Sequence, residues 1–146
     1  MTNPFMQAAL SEAKKAAQKG EVPVGAVLVK NQEIIARAHN LTESGSGILA
    51  HAEMLVLSEG LRLLGSRRLS GCSLYVTLEP CPMCTGAILL SRPQQVFFGA
   101  YDTVMGACGG KTDLLRGQAI EVYGGIMETE CANLLKTFFS DLRAKS

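Results

Sequence analysis

The chain has 146 residues, 47% of them hydrophobic, with 14 Lys and Arg against 13 Asp and Glu for a formal charge of +1. That length fits one domain spanning residues 1–146, with enough apolar material for a core. The near-neutral charge excludes a strongly basic DNA-binding module, and no apolar run approaches the ~18 residues of a membrane span.

Residues 3–21 place Phe5, Met6, Ala9, Leu10, Ala13, Ala16 and Ala17 at helical spacing. Asn3 is the expected N-cap, Pro4 the first helical residue and Gly20 the stop. Residues 22–30 read as a buried strand, 31–33 as a tight turn, and 34–40 as a returning antiparallel strand. A polar Gly/Ser loop follows at 41–49. Residues 50–65 read as a largely buried helix with Met54, Leu57, Leu61 and Leu64 along one face and Gly65 at its end. A third strand is expected at 72–79, a second buried helix at 80–91 and a fourth strand at 94–100. Residues 112–117 suggest a short helix, 119–124 a fifth strand and 127–145 a closing helix. Later strands alternate with helices, which implies parallel pairing and helices on both sheet faces. The expected fold is a three-layer α/β/α domain on a five-stranded mixed sheet.

Five cysteines at irregular spacing do not form a secreted disulfide framework, and no charged leader opens the chain, so a soluble, reduced, cytoplasmic protein is expected. Chemistry concentrates at two helix starts. His51 opens one, and Cys81 and Cys84, at i and i+3, open another. Helix N-termini favour thiolates. One imidazole and two sulfurs give Zn²⁺ three ligands, the number a catalytic site needs while a fourth position stays open for water. Glu53, two residues after His51, projects in another direction and is free to act on that water as a proton shuttle. His39 and Cys108 are alternative fourth ligands for a structural site, but neither has a spacing that suggests it. A redox dithiol would have no use for the His51-Ala52-Glu53 triplet.

His51-Ala52-Glu53 followed by Pro80-Cys81-Pro82-Met83-Cys84 is the H-x-E…P-C-x-x-C pattern of zinc nucleobase deaminases. Over nearly its whole length the sequence resembles the cytidine deaminase superfamily, and most of all its bacterial tRNA adenosine deaminases, through "EVPVGAVLV", "AHAE", "LYVTLEPCPMC", "GAI" and "ECANLLKTFF". The resemblance implies the cytidine deaminase-like fold, one Zn²⁺ per chain on His51, Cys81 and Cys84, and Glu53 as proton shuttle. It implies Asn40 on the target base and places Ala52, Pro80 and Asp102 with it at the substrate, the backbone near Pro80 and Cys81 receiving the leaving amine. It further implies a homodimer and an adenosine of the tRNA anticodon loop as substrate. Leu55, Val56 and Leu63, with Ile88, Leu89 and Leu90, lie off the main apolar stripes and are the expected dimer surface.

Two segments depart from that family. Gly47-Ile48-Leu49 stands where Asp-Pro-Thr is usual, and Val104 where a lysine is usual. "HNLTESGS" and "PCPMCTGAI" also resemble fungal cytosine deaminases, so a free nucleobase is the alternative substrate. Such an enzyme would close its pocket with Ile48, Leu49 and the closing helix. A non-catalytic zinc or RNA-binding module is a further alternative, weakened by Glu53. The plainer readings are that Asn40 is a turn residue, that Asp102 caps the turn after it, and that Cys72, Cys108 and Cys131 are buried apolar residues.

Overall fold

The structure is a computed structural model and describes residues 2–145. Helix α1 (Pro4–Gln18) is capped as expected: the Asn3 side chain accepts from the Phe5 and Met6 amides, each at 3.0 Å. Gly20 follows the C-cap with φ +77°, a conformation glycine adopts without strain. Strands β1 (Gly25–Lys30) and β2 (Glu33–His39) form a hairpin in which Lys30 pairs with Glu33. Its two-residue loop puts both Asn31 and Gln32 at positive φ, the handedness that matches strand twist.

The remaining elements are α2 (Ala52–Leu64), β3 (Cys72–Leu78), α3 (Pro82–Ser91), β4 (Gln95–Ala100), β5 (Glu121–Tyr123) and α4 (Glu128–Ala144). The sheet order is β2-β1-β3-β4-β5. β1 pairs antiparallel with both β2 and β3, while β3–β4 and β4–β5 are parallel. β1 therefore runs against the other four strands, and the C-terminal ends of β2, β3 and β4 share one sheet edge. Open α/β sheets bind ligands outside such an edge.

Two apolar layers flank the sheet. Ala52, Val56 and Leu57 of α2 and Ile88 of α3 pack with Ala26, Leu28, Leu74, Val76, Val96 and Phe98. Met6, Ala9 and Leu10 of α1 and Cys131 of α4 pack on the opposite face with Val27, Val29 and Tyr75. This is the three-layer arrangement the sequence implied. On the second face, Tyr75, Phe97 and Tyr123 stack in register across three parallel strands, with ring centroids 4.5 and 5.1 Å apart. Each such pair contributes about 0.5–1.5 kcal/mol beyond its burial.

Three expectations change. Residues 112–117 form turns, not a short helix. Their backbone is committed instead to a Gly-rich loop, with Leu114 N–H donating to Ala107 O and Cys108 bridged to Asp113. The buried stripe of α2 is Ala52, Glu53, Val56, Leu57 and Gly60, rotated from the expected Met54, Leu57, Leu61 and Leu64. Small Ala52 and Gly60 let the helix lie close to the sheet, and Glu53 must face inward. Val56 and Ile88, expected on the outer surface, are core residues, whereas Leu63 and Leu90 are exposed.

Candidate active site

His51 and Cys81 are the N-caps of α2 and α3, and neither side chain makes the capping hydrogen bond that position normally invites. Their donor atoms are turned instead toward each other. His51 Nδ1 lies 3.7 Å from Cys81 Sγ and 3.5 Å from Cys84 Sγ. All three donor atoms fall within 4.8 Å of one another. Zinc at ~2.3 Å from sulfur and ~2.05 Å from nitrogen, at a tetrahedral angle, requires an N···S separation of about 3.6 Å. The site fits that ion in spacing and in the softness of its donors.

The electrostatics suit a cation. Hydrogen bonding from Cys84 is the first cause holding the Cys81 thiol down at about 5, opposed by burial and reinforced by nearby backbone N–H groups and His51. The Cys84 thiol, which gives that hydrogen bond and is buried beside Glu53, is pushed up. A bound dication would favour both sulfurs as thiolates. Burial is also the main force on Glu53, pushing its carboxyl up to about 7, with the Cys81 charge adding to it and a backbone hydrogen bond and His51 opposing it. Glu53 is only 4% exposed, yet lines the pocket beside His51 and Cys81. A carboxyl poised near neutrality in that place is suited both to take and to return a proton.

That pocket encloses about 320 Å³ at the sheet edge, with Val22, Val24, Ile48 and Met105 as its apolar wall. Of the expected substrate contacts, Asn40 and Asp102 line it, but Ala52 and Pro80 do not. Asn40 Oδ1 accepts the Ala52 N–H at 2.9 Å, which satisfies an orphan donor of α2 and leaves the Asn40 Nδ2 donors for the pocket. Ala52 is fully buried in the core beneath α2. The Pro80 carbonyl accepts from the Ala107 N–H at 2.9 Å and from Thr85 Oγ1 at 3.4 Å. Asp102 does cap its turn, with Oδ1 accepting the Val104 and Met105 amides at 3.0 Å, while also facing the pocket.

Three buried carboxylates escaped the sequence reading. Glu21, fully buried, accepts from Thr42 Oγ1, Ser44 Oγ and the Glu43 amide, and so pins the loop that carries Ile48. Glu79, 2% exposed, does the same for the loop after β4. Glu12 is paired with Lys15 at 2.9 Å and His39 at 3.0 Å, which makes His39 a packing partner of α1. Only "LYVTLEPC" hinted at any of them, by placing Glu79 directly before the first cysteine turn.

Comparison with known proteins agrees with this geometry. Residues 2–100 match the model of the cytidine and deoxycytidylate deaminase zinc-binding region. The chain is 54% identical to the tRNA-specific adenosine deaminase of Bacillus subtilis over 97% of its own length and 90% of that protein. A structure solved in a study of A-to-I editing by tRNA:A34 deaminases at the wobble position superposes with a TM-score of 0.86 at 41% identity, covering 90% of this chain and 99% of the other. A guanine deaminase structure from Bacillus subtilis follows at a TM-score of 0.65 and 33% identity, covering 83% and 73%. With its His-Cys-Cys cluster at the matched helix starts, the chain belongs to the zinc-binding cytidine and deoxycytidylate deaminase family.

Proposed function

We propose that this protein hydrolyses adenosine to inosine at the wobble position of a tRNA anticodon loop, using one Zn²⁺ held by His51, Cys81 and Cys84. The observation that carries the proposal is the 54% identity across 97% of the chain to a tRNA-specific adenosine deaminase, together with a donor cluster of zinc dimensions. When bound, the zinc would lower the pKa of a coordinated water to about 7 and so supply the nucleophile at neutral pH. Glu53 takes a proton from the attacking water and delivers it to the adenine ring. The water oxygen bonds to C6, Glu53 passes the second proton to the exocyclic nitrogen, the C6–N bond breaks and ammonia leaves. Asn40 holds the base edge through Nδ2, and Asp102 borders the same pocket. The target base must leave its stack, which an unpaired loop makes inexpensive.

The pocket mouth favours RNA over a free base. A free-base enzyme would draw Ile48, Leu49 and α4 over the site, but Ile48 is 77% and Leu49 64% exposed, and no α4 residue lines the pocket. α4 packs on the opposite sheet face with α1. The free-base reading keeps support in the likeness to a guanine deaminase and in exposed, apolar Val104, adjacent in sequence to the pocket residue Met105, where phosphate binding calls for cations. Salt separates the two. Inosine formation in an anticodon stem-loop falls steeply as salt rises, because phosphate contacts release counterions. Salt-insensitive turnover of a free base, without inosine in RNA, overturns the proposal.

The protein also works as a homodimer, in a cytoplasmic setting consistent with a tRNA substrate. Its support is the outer face of α2 and α3, where Met54, Leu61, Ala87 and Leu90 line a groove of about 420 Å³. Leu90 at its edge is 84% exposed. No helix among the described residues is long and apolar enough to cross a membrane.

A further inference from the structure

We infer that Glu79 is a positioning residue that sets the wall of the substrate pocket formed by residues 102–105, an inference that rests on the deaminase reading of the pocket. Glu79 directly follows β3, two residues before Cys81, and is 2% exposed. Every hydrogen-bond partner of its carboxylate is a backbone N–H of the loop after β4. Oε1 accepts from Asp102 at 2.9 Å, and Oε2 accepts from Cys108 at 2.9 Å and Gly110 at 2.7 Å. One carboxylate thereby ties both ends of a nine-residue excursion to the strand end that carries the first cysteine. A buried carboxylate with three N–H donors and no facing acceptor is a strong, geometrically demanding anchor.

The glycines of the loop fit the same purpose. A Cβ at Gly106 would lie 2.4 Å from Glu79 Oε1, and one at Gly110 would lie 2.2 Å from it. Each would also lie within 2.4 Å of the Asp102 carbonyl oxygen, and neither glycine has a positive φ, so the requirement is close approach of the loop both to the carboxylate and to its own Asp102 turn. The loop presents Asp102 and Met105 to the pocket, and the Asp102 carboxylate in turn accepts the Val104 and Met105 amides. The order of support is therefore Glu79 to the Asp102 backbone, Asp102 to the turn, and the turn to the substrate. None of these atoms lies among the three metal donors. Their contacts act on substrate before and during reaction alike, so loosening them raises KM more than it lowers kcat.

The test is Glu79→Gln, whose amide keeps the shape but must set an N–H against one of the three backbone N–H groups. Steady-state deamination of an anticodon stem-loop, zinc content and thermal melting are measured for wild type, Glu79→Gln, Gly110→Ala and the double variant. The expected result is one zinc per chain, a KM raised about tenfold with kcat within about threefold in each single variant, and less than multiplicative effects in the double, because both disturb one contact. Glu79→Asp, which keeps the charge, restores part of the lost KM. An unchanged KM with only a lower melting temperature makes Glu79 purely structural and overturns the inference. So does a collapse of kcat with loss of zinc. A wild type inactive on any stem-loop instead strikes the proposed function, and melting with a zinc titration still reports whether the loop anchor touches the metal.

Discussion

Asn40 makes two claims in one side chain, and two substitutions separate them. Its Oδ1 accepts the Ala52 N–H at 2.9 Å, with Asn40 8% and Ala52 0% exposed. Asn40→Ala strands that buried donor, at a cost of about 1–3 kcal/mol. For a domain of this size, that lowers the melting temperature by roughly 2–12 °C. The same variant loses the Nδ2 donors to the base, worth another ~1–3 kcal/mol, or about 5- to 150-fold in kcat/KM. Asn40→Asp keeps an acceptor for Ala52 but has no donors. It melts closer to wild type than the alanine variant does, and loses comparable activity. Differential scanning fluorimetry and kinetics on an anticodon stem-loop read the two effects. An aspartate variant with wild-type kcat/KM refutes the base contact, and an alanine variant with an unchanged melting temperature refutes the cap.

Glu53→Gln retains zinc and fold but loses about 10²–10⁴-fold in kcat; loss of metal from this variant alone would mark Glu53 as a ligand. For Glu21, burial works to raise the carboxyl, yet hydrogen bonds from Ser44, Glu43 and Thr42 outweigh it and hold the folded pKa below the reference 4.5. Its contribution to stability is thus full above about pH 4.5 and is lost as pH falls through the folded value. Glu21→Gln therefore flattens the acid limb of stability measured by urea titration, and an unaltered acid limb would show that this carboxylate contributes nothing to it. Leu90→Asp yields a zinc-loaded monomer by light scattering, whereas a persistent dimer would move the interface off the α2–α3 face.

The metal cluster was legible because its chemistry is local: two cysteines at i and i+3 and a His-x-Glu need only a helix start each to present their donors. The inner face of α2 was not, since Ala52 and Gly60 carry little hydrophobic signal and Glu53 looks like a surface residue. The short helix expected at 112–117 lost to backbone bonds made with Gly106 and Ala107, which no periodicity in the segment announces. The roles of Glu21 and Glu79 were not legible for a related reason, beyond the place of Glu79 directly before the first cysteine turn. Their partners, backbone amides and for Glu21 also the Thr42 and Ser44 hydroxyls, lie 21 to 31 residues away, so no local pattern identifies them. Ala52 and Pro80 were assigned to substrate through the resemblance, and that role is still a proposal; the Ala52 N–H donates to Asn40, and the Pro80 carbonyl accepts from Ala107 and Thr85.

The central claim is hydrolytic deamination of adenosine in tRNA by a Glu53-driven zinc site. Its most direct measurement is inosine content at the anticodon wobble position after purified zinc-loaded protein is incubated with unmodified tRNA, with Glu53→Gln in parallel and free adenine, guanine and cytosine as competing substrates. Inosine formed at that position by the wild type alone, with ammonia released in equal amount and no turnover of the free bases, is the predicted result. Ammonia from a free base with no inosine in any tRNA, or equal inosine from Glu53→Gln, would contradict it.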